Sequence, residues 1–306
     1  MIFCPIEILT KIKRNIRSPV LCLDKNIASS IFKIAPEKSN SLMDIIKKHD
    51  LQIEIVDEAN FGIRVSLYTH IIYLPIAAME YVWSQSFRFW VVSQEYYQAQ
   101  RDGNQNFDLN GTRRLNNAAK IVEWSVENIQ QTGKKPWPLF LPRPRKYPCN
   151  EDVKVANELF FGAMGWIILH EVAHVELGHA ELSGSYSQQQ EREADQFATE
   201  WILGGLQETD PRFKKRVFCV AVALLCLQSL ETVAAPRWCG THPPAHERIS
   251  YCLDKYRGQD TEKVKAFLAV CLQVLFAGTA ISEITQGSCF DEILNEYFFN
   301  ISRRNS

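Results

Sequence analysis

The sequence predicts an α+β fold, mainly helical, with a small antiparallel sheet near the N-terminus. Three observations predict it. Apolar residues alternate at period two only within residues 51–74. From residue 76 onward they recur at helical spacing. The chain of 306 residues is 46% apolar and 23% charged, which is globular and large enough to bury a sizeable core.

In residues 51–74, Ile53 and Ile55 alternate with polar neighbours. The stretches "GIRVSLY" and "HIIYLP" flank a turn near Thr69, so two or three antiparallel strands are expected. Residues 76–101 contain no Gly or Pro and carry Trp83, Phe87 and Trp90 at four and three, the stripe of a helix facing a core. A turn at Asn110-Gly111 precedes a second helix after Thr112. Residues 133–148, "GKKPWPLFLPRPRKYP", hold five prolines and five basic residues. Proline at this density stops helix and central strand alike, so a loop is expected, packed by Trp137 and Phe140. It reads as a solvated connector or as a holder of a partner.

Helices are expected at roughly 151–180, 187–206, 210–233, 243–257, 261–278 and 289–302. The chain thus divides into a sheet-and-helix part to residue 150 and a helical part over 151–306. The apolar run 217–230 suits a buried core helix, because a membrane span needs about 20 residues.

The net charge is −1, which gives no electrostatic reason to expect nucleic acid or an anionic membrane as partner. Nine cysteines, with no C-x-x-C pair, fit a reduced cytoplasmic protein without a disulfide framework. The first residues lack the long apolar core of a signal peptide.

The chemistry concentrates in "ILHEVAHVELGHAEL", residues 168–182. His170 and His174 stand one helical turn apart and can converge on one ion. Glu171 sits 100° round from His170, beside such an ion, where it suits a general base for water. The surrounding helix is apolar on nearly all sides, hence central and buried. Polar groups there need partners, and a metal would supply them. Two ordinary hydrogen-bonded core histidines are the alternative. His179 lies 180° from His170 on a continuous helix, so it joins only if the helix breaks at Gly178; a supporting or capping role suits it better.

Residues 190–206 offer the next candidate. Glu191 and Asp195 flank an apolar stripe of Ala194, Phe197, Ala198, Trp201 and Ile202, whereas Glu193 points further toward solvent. Glu191 is the third ligand this geometry favours. Asp195 can accept the far ring N–H of a ligand histidine and fix its tautomer. An acidic first turn that merely suits the helix dipole is the alternative. Two histidines, a glutamate and an open position make a catalytic zinc set. Residues 240–251, "GTHPPAHERISY", bring His242, suited to donate to an oxyanion, and Arg248, suited to pair with Asp195 or a substrate. A capped helix start with surface histidines explains the same spacing.

HEVAH, Glu191 to Asp195 as E-x-x-A-D, and Thr241 to Ile249 as T-H-P-x-x-x-x-R-I together resemble the gluzincin metallopeptidases. "FKIAPEK" at 32–38, "NFDLNG" at 106–111, "EREADQFATEWILG" at 191–204 and "THPPAHERI" at 241–249 resemble, more narrowly, the Lit-type phage-exclusion peptidases of family U49. The likeness runs from about Arg17 to near the C-terminus, which leaves residues 1–16 as an N-terminal extension and 17–150 as the sheet-and-helix part. It implies a zincin-like active-site helix bundle. It implies one catalytic Zn²⁺ on His170, His174 and Glu191, with Glu171 as base and His242 at the oxyanion side. It also implies a dormant protease, triggered when a phage capsid peptide binds elongation factor Tu. Cleavage of one Gly-Ile bond in that factor would then stop translation and kill the infected cell. A different target, such as a phage repressor, and a non-catalytic sensor or binding protein are the rival expectations.

Overall fold

The computed structural model describes residues 8–9, 18–104, 107–130, 135–180, 187–207, 209–234, 242–256, 262–281 and 289–305. Residues 1–16 lie outside this set except for 8–9, as does Thr241.

Strand β1 is Ile8–Leu9. Short helices α1 (Asp24–Ala28) and α2 (Ser30–Ile34) and the longer α3 (Ser39–His49) follow. Then come β2 (Gln52–Val56), β3 (Arg64–Ser66) and β4 (Ile71–Pro75). The sheet order is β1-β2-β4-β3, so β3 lies at an edge. Its pairing corrects the antiparallel expectation. Ile53 pairs with Ile72 in parallel, whereas Val65 pairs with Ile72 antiparallel, and the sheet is mixed. Alternation records which face is buried and carries no information about strand direction. The chain leaves β2, passes along the outside as β3 and turns back at residues 67–70 into β4, where His70 N–H donates to the Ser66 carbonyl.

Helices α4 (Ile76–Arg101) and α5 (Arg113–Gln130) match the expected segments and pack on each other. Trp83 and Phe87 of the aromatic stripe are buried, and their rings stack. In the loop before the next helix Trp137 is buried, but Phe140 is 91% exposed. That corrects the expectation that both pack. Prolines on either side of the 139–140 turn hold the chain so that Phe140 stands outward.

Helix α6 (Glu151–Glu176) is the central element and packs against α2, α4, α7 (Gln188–Leu203) and α8 (Pro211–Ala234). The Asn150 side chain accepts from Val153 N–H at its start, and Glu151 and Asp152 suit the dipole there. Residues 162–175 are buried without interruption, the burial expected of a helix apolar all round. Gly162 allows α8 to come close, since a Cβ there would lie 2.1 Å from Cys219 Sγ.

The remaining helices are α7 (Gln188–Leu203), α8 (Pro211–Ala234), α9 (Ala245–Leu253), α10 (Glu262–Leu275) and α11 (Phe290–Asn305). Helix α8 is long and apolar enough to cross a membrane by length and composition, but most of that stretch is buried inside the fold. One hydrophobic cluster runs from Val20 to Ile301, so the sheet and the helical half share a core. The described cysteines are all unpaired, and Cys219, Cys226, Cys252 and Cys271 are buried as small hydrophobes.

Candidate metal centre

Helix α6 presents His170 and His174 from its last turns, one above the other. Their Nε2 atoms lie 3.1 Å apart. Helix α7 crosses beside them. It starts at a capping box, in which the Ser187 side chain accepts from Gln190 N–H and Gln190 reaches back to Ser187 N–H. That start places Glu191 in the first turn, 1% exposed, with Oε2 3.3 Å from His170 Nε2 and Oε1 3.7 Å from His174 Nε2. One ligand atom from each of the three residues falls within 4.8 Å of the others, a group that could hold a metal ion.

The electrostatics of the group fit a cation. Glu191 Oε2 is buried, with His170 Nε2 3.3 Å away. Burial disfavours a charged His170 ring, but the Asp195 and Glu191 carboxylates outweigh it and hold the imidazolium to about 10. The pocket therefore draws positive charge to the point between His170 and Glu191. Burial, with His170 and His179 beside it, pushes His174 down to about 2, so its ring is neutral and has a lone pair to offer. Burial opposes ionisation of Glu191 as well, and the His170 hydrogen bond and charge overcome it.

Asp195, one turn beyond Glu191, is fully buried. Its Oδ1 lies 2.9 Å from His170 Nδ1, which turns the Nε2 of that ring toward Glu191. Arg248 of α9 grips the same carboxylate with two bonds, Nε to Oδ2 at 2.7 Å and a terminal nitrogen to Oδ1 at 2.6 Å. Burial is a penalty for Asp195 too, but Arg248 and His170 keep it well below the usual carboxylate range. Of the two partners open to Arg248 in the sequence, the structure gives it Asp195. The Tyr251 hydroxyl also donates to Asp195.

Helix α6 ends at Glu176, four residues short of the expected boundary. Gly178 takes φ +64°, and His179 N–H donates to the His174 carbonyl. The 180° separation of His179 from His170 holds only on an unbroken helix. The turn folds His179 back so that its Nδ1 lies 2.9 Å from His174 Nδ1, while its Nε2 lies 3.1 Å from Glu193. His179 therefore backs His174 on the side away from Glu191.

Glu171 stays outside the three-residue group. Its Oε2 accepts the Val65 N–H of edge strand β3 at 2.8 Å. Burial pushes the Glu171 carboxyl up to about 7. His242 reaches the same group, with Nε2 3.6 Å from Glu191 Oε1 and its side chain one-third exposed.

The structure thus gathers His170, Glu171, His174, His179, Glu191, Asp195, His242 and Arg248 around one point. Sequence reasoning missed Tyr251, Val65 and Glu193. Tyr251 stands three residues after Arg248 on the same helix face, a spacing that could have flagged it. The Val65 contact is a backbone N–H and leaves no mark in side-chain pattern. Glu193 was set aside as solvent-facing, which its half-exposed side chain is, but the broken helix brings His179 to it.

A family model described as Peptidase U49 matches residues 72–268, more than half of the chain. The cell death peptidase of Escherichia coli (strain K12) is 41% identical over 295 residues, 95% of this chain and 99% of that protein. No solved structure matches.

Proposed function

The chain belongs to the Peptidase U49 family, and from that premise we propose that it is a zinc endopeptidase whose centre is His170, His174 and Glu191. The observation that carries the reading is the convergence of two histidine Nε2 atoms and one carboxylate within 4.8 Å, beside a buried glutamate that does not join them. Two imidazoles and a carboxylate are a donor set that suits Zn²⁺ and leaves room for substrate. Zinc held there would supply Lewis acidity, polarising a peptide carbonyl and bringing the pKa of water toward about 7.

The protein's own groups do the rest. Glu171 takes a proton from the attacking water and passes it to the leaving amine, work for which a carboxyl raised to about 7 is suited. His242 donates to the carbonyl oxygen as charge builds on it. Asp195 holds the His170 tautomer, and Arg248 and Tyr251 hold Asp195. The substrate lies extended along the open edge of β3. A substrate carbonyl that takes the Val65 N–H releases Glu171 Oε2 for water.

The proposed substrate is elongation factor Tu presented in the cytoplasm with a phage capsid-derived peptide, and the proposed outcome is abortive infection. The likeness to a protein named cell death peptidase supports that outcome. The test is incubation of the purified protein with elongation factor Tu, with and without the capsid peptide and with and without a chelator. A single cleavage that needs the peptide, stops with chelator and is lost in Glu171→Gln is expected. Intact factor in every tube refutes the substrate, and full cleavage by Glu171→Gln refutes the mechanism.

A further inference from the structure

The far end of α6 carries a surface that this chemistry does not use. Residues 135–148 form a loop ordered by its own side chains and by the helices beneath it. Trp124 Nε1 donates to the Pro136 carbonyl and Trp137 Nε1 to the Pro142 carbonyl, each at 3.1 Å. Arg143 donates to the Leu139 carbonyl at 2.6 Å, and Asn157 Nδ2 to the Arg145 carbonyl at 2.9 Å. The Trp137 ring packs on Trp83 and Trp124. Yet this fixed loop holds Leu139, Phe140 and Tyr147 in solvent, at 75, 91 and 81% exposure. Arg143, Arg145 and Lys146 stand among them, and no carboxylate pairs with any of the three among the described residues.

We propose that this face is a docking site for an extended peptide segment of another protein, one in which apolar side chains alternate with Asp or Glu. None of these three cations has a carboxylate partner among the described residues; Arg143 is held by the Leu139 carbonyl and Lys146 lies 5.4 Å from the Tyr147 ring centroid, so carboxylates on a ligand would complement all three. Leu139, Phe140 and Tyr147 together offer roughly 400 Å² of apolar surface, the size at which an exposed patch on a monomer is commonly functional. A stable dimer needs about 800 Å² on each partner, so a second copy of this chain is too large an occupant. Aromatic side chains with arginine are the composition of interface hot spots. The aliphatic Leu139 and the proline rings give a nucleic acid base little to stack on. Because the loop is already ordered, a segment that docks here spends no free energy in ordering it.

The face lies at the opposite end of α6 from His170. Asn157, which holds the Arg145 carbonyl, stands thirteen residues of helix before His170, about 20 Å at 1.5 Å per residue. A docked segment and a cleaved bond on one chain therefore stand about six or more extended residues apart. The site positions a protein and does not hold the scissile bond.

The test is fluorescence anisotropy with labelled peptides, which reads binding whether or not the chain cleaves anything. A peptide of alternating Glu and Leu should bind saturably, in the range of about 1–100 μM. Its Lys-for-Glu counterpart should bind at least about tenfold more weakly. The double variants Phe140→Ser/Tyr147→Ser and Arg145→Glu/Lys146→Glu should each weaken the Glu-Leu peptide by about tenfold or more. All four positions are on the surface, so both variants should melt with the parent protein. Absence of saturable binding, or equal binding of the Lys peptide, overturns the proposal. So does full binding by both variants. Tighter saturable binding of an oligothymidine or of phosphatidylglycerol vesicles, lost in the same variants, would assign the face to nucleic acid or membrane instead.

Discussion

The two ends of α6 invert the usual distribution of polar and apolar groups. At its C-terminal end, charged side chains are buried. Asp195 is 0% exposed, and Glu191 and Arg248 are nearly as deep. At its N-terminal end, the loop that leads into the helix leaves Leu139, Phe140 and Tyr147 in water. The first arrangement holds because each charge meets another. The second holds because tryptophans and backbone hydrogen bonds anchor the loop from beneath. Neither end is arranged for stability alone: a buried ion pair is often no better than well-packed hydrophobic residues, and an exposed apolar patch stabilises nothing.

The largest effect should come from breaking the charged end. Arg248→Ala leaves Asp195 buried with the His170 imidazole and the Tyr251 hydroxyl, and should cost about 3–5 kcal/mol in urea unfolding. A loss below about 1 kcal/mol would mean that the Arg248 pair is not what permits Asp195 to be buried.

A buried carboxylate elsewhere sharpens the contrast. Glu80 of α4 is buried with the Ser18 hydroxyl and the Asn128 amide as its hydrogen-bonding neighbours, and burial pushes it up to about 7. Asp195, deeper still, is held ionised by Arg248 and His170. Between its ordinary value of 4.5 and about 7, Glu80 keeps its proton in the folded chain and loses it in the unfolded one. Its contribution is therefore fully present below pH 4.5 and lost as pH rises through about 7. Glu80 should contribute on the order of 2 kcal/mol to a fall in stability across that window, and Glu80→Gln should remove that share while leaving those of Glu171 and Glu231, which burial also pushes up to about 7. A slope that survives the substitution undiminished assigns it to those other groups.

At the apolar end the effect on stability should be the smallest. Phe140→Ser and Tyr147→Ser should each change unfolding free energy by less than about 0.5 kcal/mol, since neither side chain loses a buried contact. A loss of about 2 kcal/mol in either would show that these rings pack in solution and offer no surface.

How much of this was legible in the sequence follows the same division. Period and composition located α4, α5 and α6 because long, apolar, uninterrupted segments leave little choice. The spacing of His170, Glu171 and His174 brought two rings to one face, and the stripe on α7 put Glu191 and Asp195 beside it. Helices α1, α2 and α3 were missed: the first two hold little more than one turn, and none of the three has a side-chain cap. Strand direction was missed because alternation does not encode it. His179 was read as a supporting residue, but the way it reaches His174 was not legible: the helix ends at Glu176 and the turn at Gly178 folds the ring back. The exposure of Phe140 was missed for a related reason. Hydrophobicity predicts burial on average, and a proline-locked loop can hold a ring in water.

The most direct test of the central claim is calorimetric titration of Zn²⁺ into metal-free protein. The account predicts one ion bound per chain, binding abolished by His174→Ala and by Glu191→Ala, and affinity about 10–100-fold lower in His179→Ala, where the ring behind His174 is removed. Zinc that fails to bind, or that binds His174→Ala and Glu191→Ala as tightly as the parent chain, would contradict it.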